Sequence, residues 1–116
     1  GVFERYPDFP YIMGHTGGAL PMLLARLDNG YRLFPDCREF ISKPPSEYAR
    51  KLYYDTCAFD PEALMFAYRQ VGAGQMLFGT DDPFIDADRG HVERLDLPET
   101  DKARILGENA AALLGL

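Results

Sequence analysis

The chain has 116 residues, a formal net charge of −6 and 47% apolar residues. That is one domain's worth of sequence, with enough apolar side chains to bury a core, which excludes a disordered chain. The acidic balance argues against a nucleic-acid partner, whose phosphates need a basic surface, and no apolar stretch approaches the ~20 residues of a membrane span.

In chain order, Val2-Phe3-Glu4-Arg5-Tyr6-Pro7 reads as the last turns of a helix stopped by proline. The chain opens in mid-element, which predicts a fragment. Phe9 to Gly14 reads as a strand and Gly17-Gly18 as a turn. Ala19 to Leu27 reads as a helix with Leu20, Leu23, Leu24 and Leu27 on one face and Pro21 in its first turn. Asn29-Gly30 marks its end or a break in it. Phe34 to Ser46, with three prolines, is expected to form a loop, followed by a short helix from Pro45 to Arg50.

Leu52 to Thr56 reads as the second strand. Asp60-Pro61 opens a helix as N-cap and first helical position, running to about Val71 and ending at Gly72 or Gly74. Gln75 to Phe78 is the third strand. Asp82 to Leu97 is expected to be a polar loop with one helical turn around His91 to Leu95. Helices Glu99–Leu106 and Glu108–Leu114 follow, separated by Gly107. The alternation predicts an α/β chain with parallel strands covered by crossover helices. Three such strands do not close a barrel and leave an unpaired edge on each side.

Two strand tips carry the candidate chemistry. Tyr11-Ile12-Met13 leads into Gly14-His15-Thr16-Gly17-Gly18, and Met76-Leu77-Phe78 leads into Gly79-Thr80-Asp81-Asp82-Pro83-Phe84. A His and an Asp at the C-terminal tips of parallel strands are how a β/α barrel builds a metal or acid/base site. Asp81 can bind a metal or take a proton; its alternative role is to cap the following turn. His15 can ligate a metal or act as an acid/base near neutral pH; its alternative is a histidine tucked beside glycines.

The remaining polar residues have blander expectations. Asp55, at the tip of the middle strand, is expected to make hydrogen bonds in the mouth of the sheet. His91 is expected to be exposed beside Arg89 and Glu93, and Asn109 to make a structural cap or a buried amide contact. Lys43, Arg32 and Arg38 are expected on the solvated surface, although a substrate carboxylate could meet them. Asp82, Asp86 and Asp88 lack the glycine and terminal glutamate of a calcium loop. Cys37 and Cys57 have no CxxC spacing, which suggests reduced thiols and a cytoplasmic setting. A catalytic zinc usually takes three or more protein ligands, and this chain offers one convincing carboxylate and one convincing histidine.

Taken together and in order, Gly1 to Pro7, Gly14-His15-x-Gly17-Gly18-Ala19-Leu20-Pro21, Lys43 to Tyr48, Tyr53-Tyr54-Asp55-Thr56, Phe59 to Leu64, Gly79-Thr80-Asp81-x-Pro83-Phe84 and Gly107-Glu108-Asn109-Ala110 resemble the amidohydrolase-related metal-dependent decarboxylases and hydrolases. The resemblance covers essentially the whole chain. It implies the last three βα units of a TIM-type (β/α)8 barrel, so that residues 1–116 form the C-terminal portion of one barrel domain. It implies one divalent metal, typically zinc, with Asp81 as the eighth-strand ligand and His15 beside the metal as the proton-transfer residue. The family's other ligands, an HxH pair and a fifth-strand histidine, would precede Gly1. Asp55 or Thr80 would orient the ligands. Asp82 departs from the aromatic residue that many of the decarboxylases carry there.

The partner implied is a small carboxylated, ring-derived substrate, turned over by decarboxylation or hydrolysis, with a homo-oligomer as the default assembly. The alternative from another class is a truncated, non-catalytic barrel fragment serving as an assembly or interaction module.

Overall fold

The computed structural model describes residues 1–85 and 88–116. Its helices are α1 (Val2–Arg5), α2 (Leu20–Leu33), α3 (Pro45–Ala49), α4 (Pro61–Val71), α5 (Gly90–Glu93), α6 (Glu99–Ala103) and α7 (Asn109–Leu114). Its strands are β1 (Ile12–Met13), β2 (Tyr53–Asp55) and β3 (Met76–Leu77). The strands form one parallel sheet in the order β1-β2-β3. Met13 aligns with Tyr54 and Tyr54 with Met76, while Ile12 aligns with Tyr53 and Asp55 with Leu77.

Because successive side chains alternate across a sheet, Met13, Tyr54 and Met76 share one face, against which the helices pack. Tyr54 and Met76 are fully buried there. The other face is covered unevenly, unlike the full cover that the sequence pattern predicts: Leu77 is buried and Ile12 is 51% exposed, while Tyr53 and Asp55 are half-buried. The strands are also shorter than expected. A ladder forms only where a neighbour supplies partners, and β1 and β3 each have a strand on one side only.

The helix starts follow the sequence. The Asp60 side chain accepts the Ala63 N–H at 2.8 Å, and Pro61 occupies the first helical position. Pro21 lies in the first turn of α2 and is buried. The end of α2 does not follow it: the helix runs through Asn29-Gly30 to Leu33. Tertiary bonds carry it past the break. Arg38 donates to the carbonyls of Tyr31 and Arg32, and Tyr31 donates to the Ser42 carbonyl. Arg38 is exposed, as expected, and also caps the helix. Within the expected loop, Pro35–Arg38 forms a 3-10 turn. Asp28 accepts the Ser46 N–H and so ties the start of α3 to α2. At the chain start, Glu4 accepts hydrogen bonds from Ser42 and Tyr48, which hold its carboxyl below the usual range and pin α1 to the α3 region.

The largest departure is at the C-terminal end. Gly107 does not separate two helices. It lies inside a π-helical turn, Arg104–Glu108, that joins α6 to α7. The Asn109 N–H reaches back five residues to the Arg104 carbonyl. The Ile105 carbonyl instead accepts the Phe78 N–H of the β3 exit at 2.8 Å. The Asn109 side chain donates to the carbonyls of Ala73 and Met76, at 2.7 and 2.8 Å. The extra residue in the turn thus joins the last helix to β3 by three hydrogen bonds. Below them lies the core: Leu64 and Ala67 of α4, Ala73, Met76, Val92, Leu95 and Ile105.

Replacing Asn109 with Ala leaves two strand-flanking carbonyls without their donor. The expected loss is about 1–3 kcal/mol of stability, read from the urea midpoint at unchanged slope.

Candidate functional site

The site is built on the three strand exits. At the β1 exit the chain turns sharply through a 3-10 turn, His15–Gly17. His15 and Thr16 both take left-handed backbone angles, with φ of 53° and 55°. This is an uncommon conformation for side-chain-bearing residues, and it marks places where the surroundings impose geometry. Gly17 is required on two counts. Its φ is 78°, and a Cβ there would lie 2.7 Å from the Tyr54 ring.

Asp55 imposes this geometry. Its Oδ2 accepts the His15 N–H at 3.0 Å, and its Oδ1 accepts the Thr16 N–H at 2.7 Å and the Cys57 N–H at 3.0 Å. One carboxylate therefore holds both the β1 turn and the start of the β2 turn. Thr16 returns the link, accepting the Ala58 N–H at 3.1 Å through its hydroxyl. The expectation for Asp55 holds in full, and the backbone it fixes is that of His15, whose side chain is exposed.

Asp81 at the β3 exit also has a left-handed backbone, with φ of 59°. The turn behind it is closed by its main-chain carbonyl, which accepts the N–H groups of Phe84 and Ile85. The Thr80 hydroxyl accepts the Asp82 N–H. Among the described residues, no N–H of this turn goes to the Asp81 carboxylate. The capping alternative therefore has no support in the geometry, and the carboxylate remains for other chemistry. Asp86 lies outside the described residues.

The two tips are joined through the middle strand. Gly79 packs against it so closely that a Cβ would lie 2.7 Å from Cys57 Sγ and 3.3 Å from Asp55 Cβ. Cys57 is half-buried in this junction. Burial, with the Asp55 charge adding to it, pushes its thiol up to about 11. Sequence reasoning missed a further link. His91, expected to be exposed, is buried. Its ring stacks on Phe78 and meets the edge of Phe59, and its Nε2 lies 2.8 Å from the Thr56 hydroxyl. The available signal was its position one residue before Val92 and four before Leu95, which places it on the buried side of α5.

Chemically, a carboxylate and an imidazole at the exits of the two outer strands, with the middle strand between them, are donor types that suit a borderline or hard divalent ion. Among the described residues, no group of three or more His, Cys, Asp or Glu side chains is placed to hold one. This donor pair fits part of a metal site. Among the described residues, no helix is long and apolar enough to cross a membrane.

A parallel α/β sheet with an Asp and a His presented at its strand exits defines a class, and the chain belongs to it: the amidohydrolase family matches over residues 1–116. Over its whole length the chain is 33% identical to the 2-amino-3-carboxymuconate-6-semialdehyde decarboxylase of Dictyostelium discoideum, covering 34% of that protein. It is 31% identical to the γ-resorcylate decarboxylase of a Polaromonas species, covering 37%. The chain thus spans about a third of the length of these curated relatives.

Solved structures agree. The 5-carboxyvanillate decarboxylase of Sphingomonas paucimobilis superposes on the whole chain with a TM-score of 0.88 at 26% identity, the chain covering 36% of it. A dihydroxybenzoic acid decarboxylase of Polaromonas, solved with manganese and the inhibitor 2-nitroresorcinol, superposes on the whole chain with a TM-score of 0.89 at 29% identity, the chain again covering 36%. Its ion is manganese, where the sequence resemblance implied zinc.

Three outcomes follow from this geometry. Asp55→Ala strands three N–H groups of the two turns and is expected to cost about 2–3 kcal/mol in chemical denaturation. Cys57 stays a thiol at pH 8, so iodoacetamide is expected to label the exposed Cys37 and spare Cys57 in the native protein, as read by peptide mass. Because the folded value is the raised one, the contribution of Cys57 to stability is full below the ordinary thiol range, near ~8.5, and is lost as the pH climbs towards 11.

Proposed function

We propose that this chain is the C-terminal three βα units of a (β/α)8-barrel decarboxylase that acts on a small carboxylated aromatic or ring-derived acid. Asp81 is a metal ligand and His15 the acid/base. The observation that carries this reading is the Asp81 turn: a strained backbone that presents a carboxylate while the main-chain carbonyl closes the turn. Relatives named as decarboxylases favour loss of carbon dioxide over hydrolysis. The half-exposed strip formed by Phe9, Tyr11 and Ile12 along β1 is what a preceding barrel strand and its helix would cover.

Asp81 would hold a divalent ion there, which would supply positive charge near a substrate oxygen and so favour negative charge developing on the ring. Manganese in the solved Polaromonas relative makes Mn²⁺ the first ion to test, with Zn²⁺ the second. The chain's own residues do the rest. Asp81 provides one anionic oxygen to the ion. His15, its backbone clamped by Asp55, holds its imidazole at the mouth of the sheet and moves a proton to or from the reacting carbon. The open second face of the sheet leaves Tyr53 and Asp55 beside the space where a substrate would lie.

The test is made in the protein that carries this chain, purified with Mn²⁺ and assayed on hydroxylated benzoic acids and on aminocarboxymuconate semialdehyde. His15→Asn is expected to retain the metal and to lose about 10²–10⁴-fold in kcat. Asp81→Asn is expected to lose both metal and turnover. A wild-type protein that binds no divalent ion, or an Asp81→Asn variant with undiminished metal content, would overturn the assignment.

A further inference from the structure

We propose that His91 is a positioning residue for the Asp81 turn, acting through the hydroxyl of Thr56; this rests on the reading of Asp81 given above. Several hydrogen bonds meet at one buried oxygen. Thr56 is fully buried at the exit of β2. Its Oγ1 accepts the Gly79 N–H at 3.1 Å and lies 3.3 Å from the Gly79 carbonyl and 2.8 Å from His91 Nε2. Gly79 lies two residues beyond the end of β3 and two before the left-handed Asp81.

The other ring nitrogen fixes the tautomer. His91 Nδ1 lies 2.7 Å from the Asp88 carbonyl, which can only accept, so Nδ1 carries a proton. In the neutral ring Nε2 is then an acceptor and takes the single Thr56 hydroxyl proton. The lone pairs of Oγ1 are left facing the Gly79 N–H. Every group in the chain Asp88 carbonyl, His91, Thr56, Gly79 N–H is satisfied, and each bond points in one direction. The ring is locked by stacking on Phe78 at 5.5 Å between centroids and by the Phe59 edge at 5.1 Å.

Phe78 immediately precedes Gly79, so His91 grips the β3 exit twice, by its ring face and through Thr56. A buried relay of this kind costs free energy if one member is unpaired, so removing the ring frees the hydroxyl to rotate away from Gly79. Asp55 holds the His15 turn from the middle strand; Thr56, the next residue, holds the Asp81 turn from the same strand with His91 behind it.

The experiment uses the full protein that carries this chain, with two readouts. The first is amide hydrogen exchange at Gly79 and Asp81, which needs no metal. His91→Leu keeps Thr56, yet exchange at both amides is expected to rise at least tenfold. Thr56→Val should do the same, while Thr56→Ser, which restores the hydroxyl, stays within about threefold of wild type. The second is Mn²⁺ affinity, expected to fall about 10–100-fold in His91→Leu and Thr56→Val but not in Thr56→Ser.

Unchanged exchange in a folded His91→Leu protein overturns the proposal, as does a Thr56→Ser variant that behaves like Thr56→Val. Should His91→Leu not fold, His91→Gln, which keeps a polar group towards Thr56, is compared with Thr56→Val: the two must differ at Gly79, and equal exchange overturns the proposal. A wild-type protein that binds no Mn²⁺ overturns the reading of Asp81 instead, and the exchange data still decide the role of His91.

Discussion

Three backbone N–H groups, from two different turns, end on one carboxylate. Asp55 sits at the exit of the middle strand, and its two oxygens take the amides of His15, Thr16 and Cys57. A turn with two consecutive left-handed residues is unfavourable by itself, and it persists only where something outside it fixes it. Here that is a half-buried anion, for which amide donors are strong partners. Without it the His15 turn has no reason to keep its shape, Thr16 loses its place against Ala58, and the spacing between the first and third strand exits is no longer set. The neighbouring Thr56 serves the other exit in the same way. The middle strand therefore carries little candidate chemistry of its own and organises that of both neighbours.

Much of this was legible in the sequence because it is written locally. Asp60-Pro61 announces a helix by its own chemistry, since the cap and the missing amide act within one turn. The three short apolar runs announce strands, and the residues at the ends of the first and third announce the candidate site. What was not legible depends on partners far along the chain. Asn29-Gly30 looks like a helix end until Arg38 and Ser42 supply bonds beyond it. His91 looks solvated among Arg89, Glu93 and Arg94, because the two phenylalanines and the threonine that bury it come from other elements. The short ladders and the open face of the sheet likewise reflect which neighbours a strand has, which its own residues do not state.

Family membership and geometry carry different parts of the argument. Membership places the chain in the amidohydrolase family, several of whose relatives here are named decarboxylases. It does not say which side chains of this chain act. That assignment rests on how each candidate is used locally. The backbone amide of His15 is held while its ring is exposed, and the Asp81 carbonyl closes a turn while its carboxylate takes no N–H from that turn. In both residues the main chain holds the turn, and the proposed chemistry falls to the side chain.

The π-turn at Arg104–Glu108 makes the length of the last helix a counted quantity. An α-helix advances its side chains by about 100° per residue, so one residue removed from that turn would restore regular winding and rotate everything after it by that angle. Asn109 would then face away from Ala73 and Met76, and Ile105 would lose the spare carbonyl that meets Phe78. Surface loops in this chain can absorb insertions and deletions, whereas this stretch of helix cannot change length by one without releasing the strand that carries Asp81. Among homologous chains, alignment gaps should avoid residues 104–108 even though Gly107 resembles a linker there.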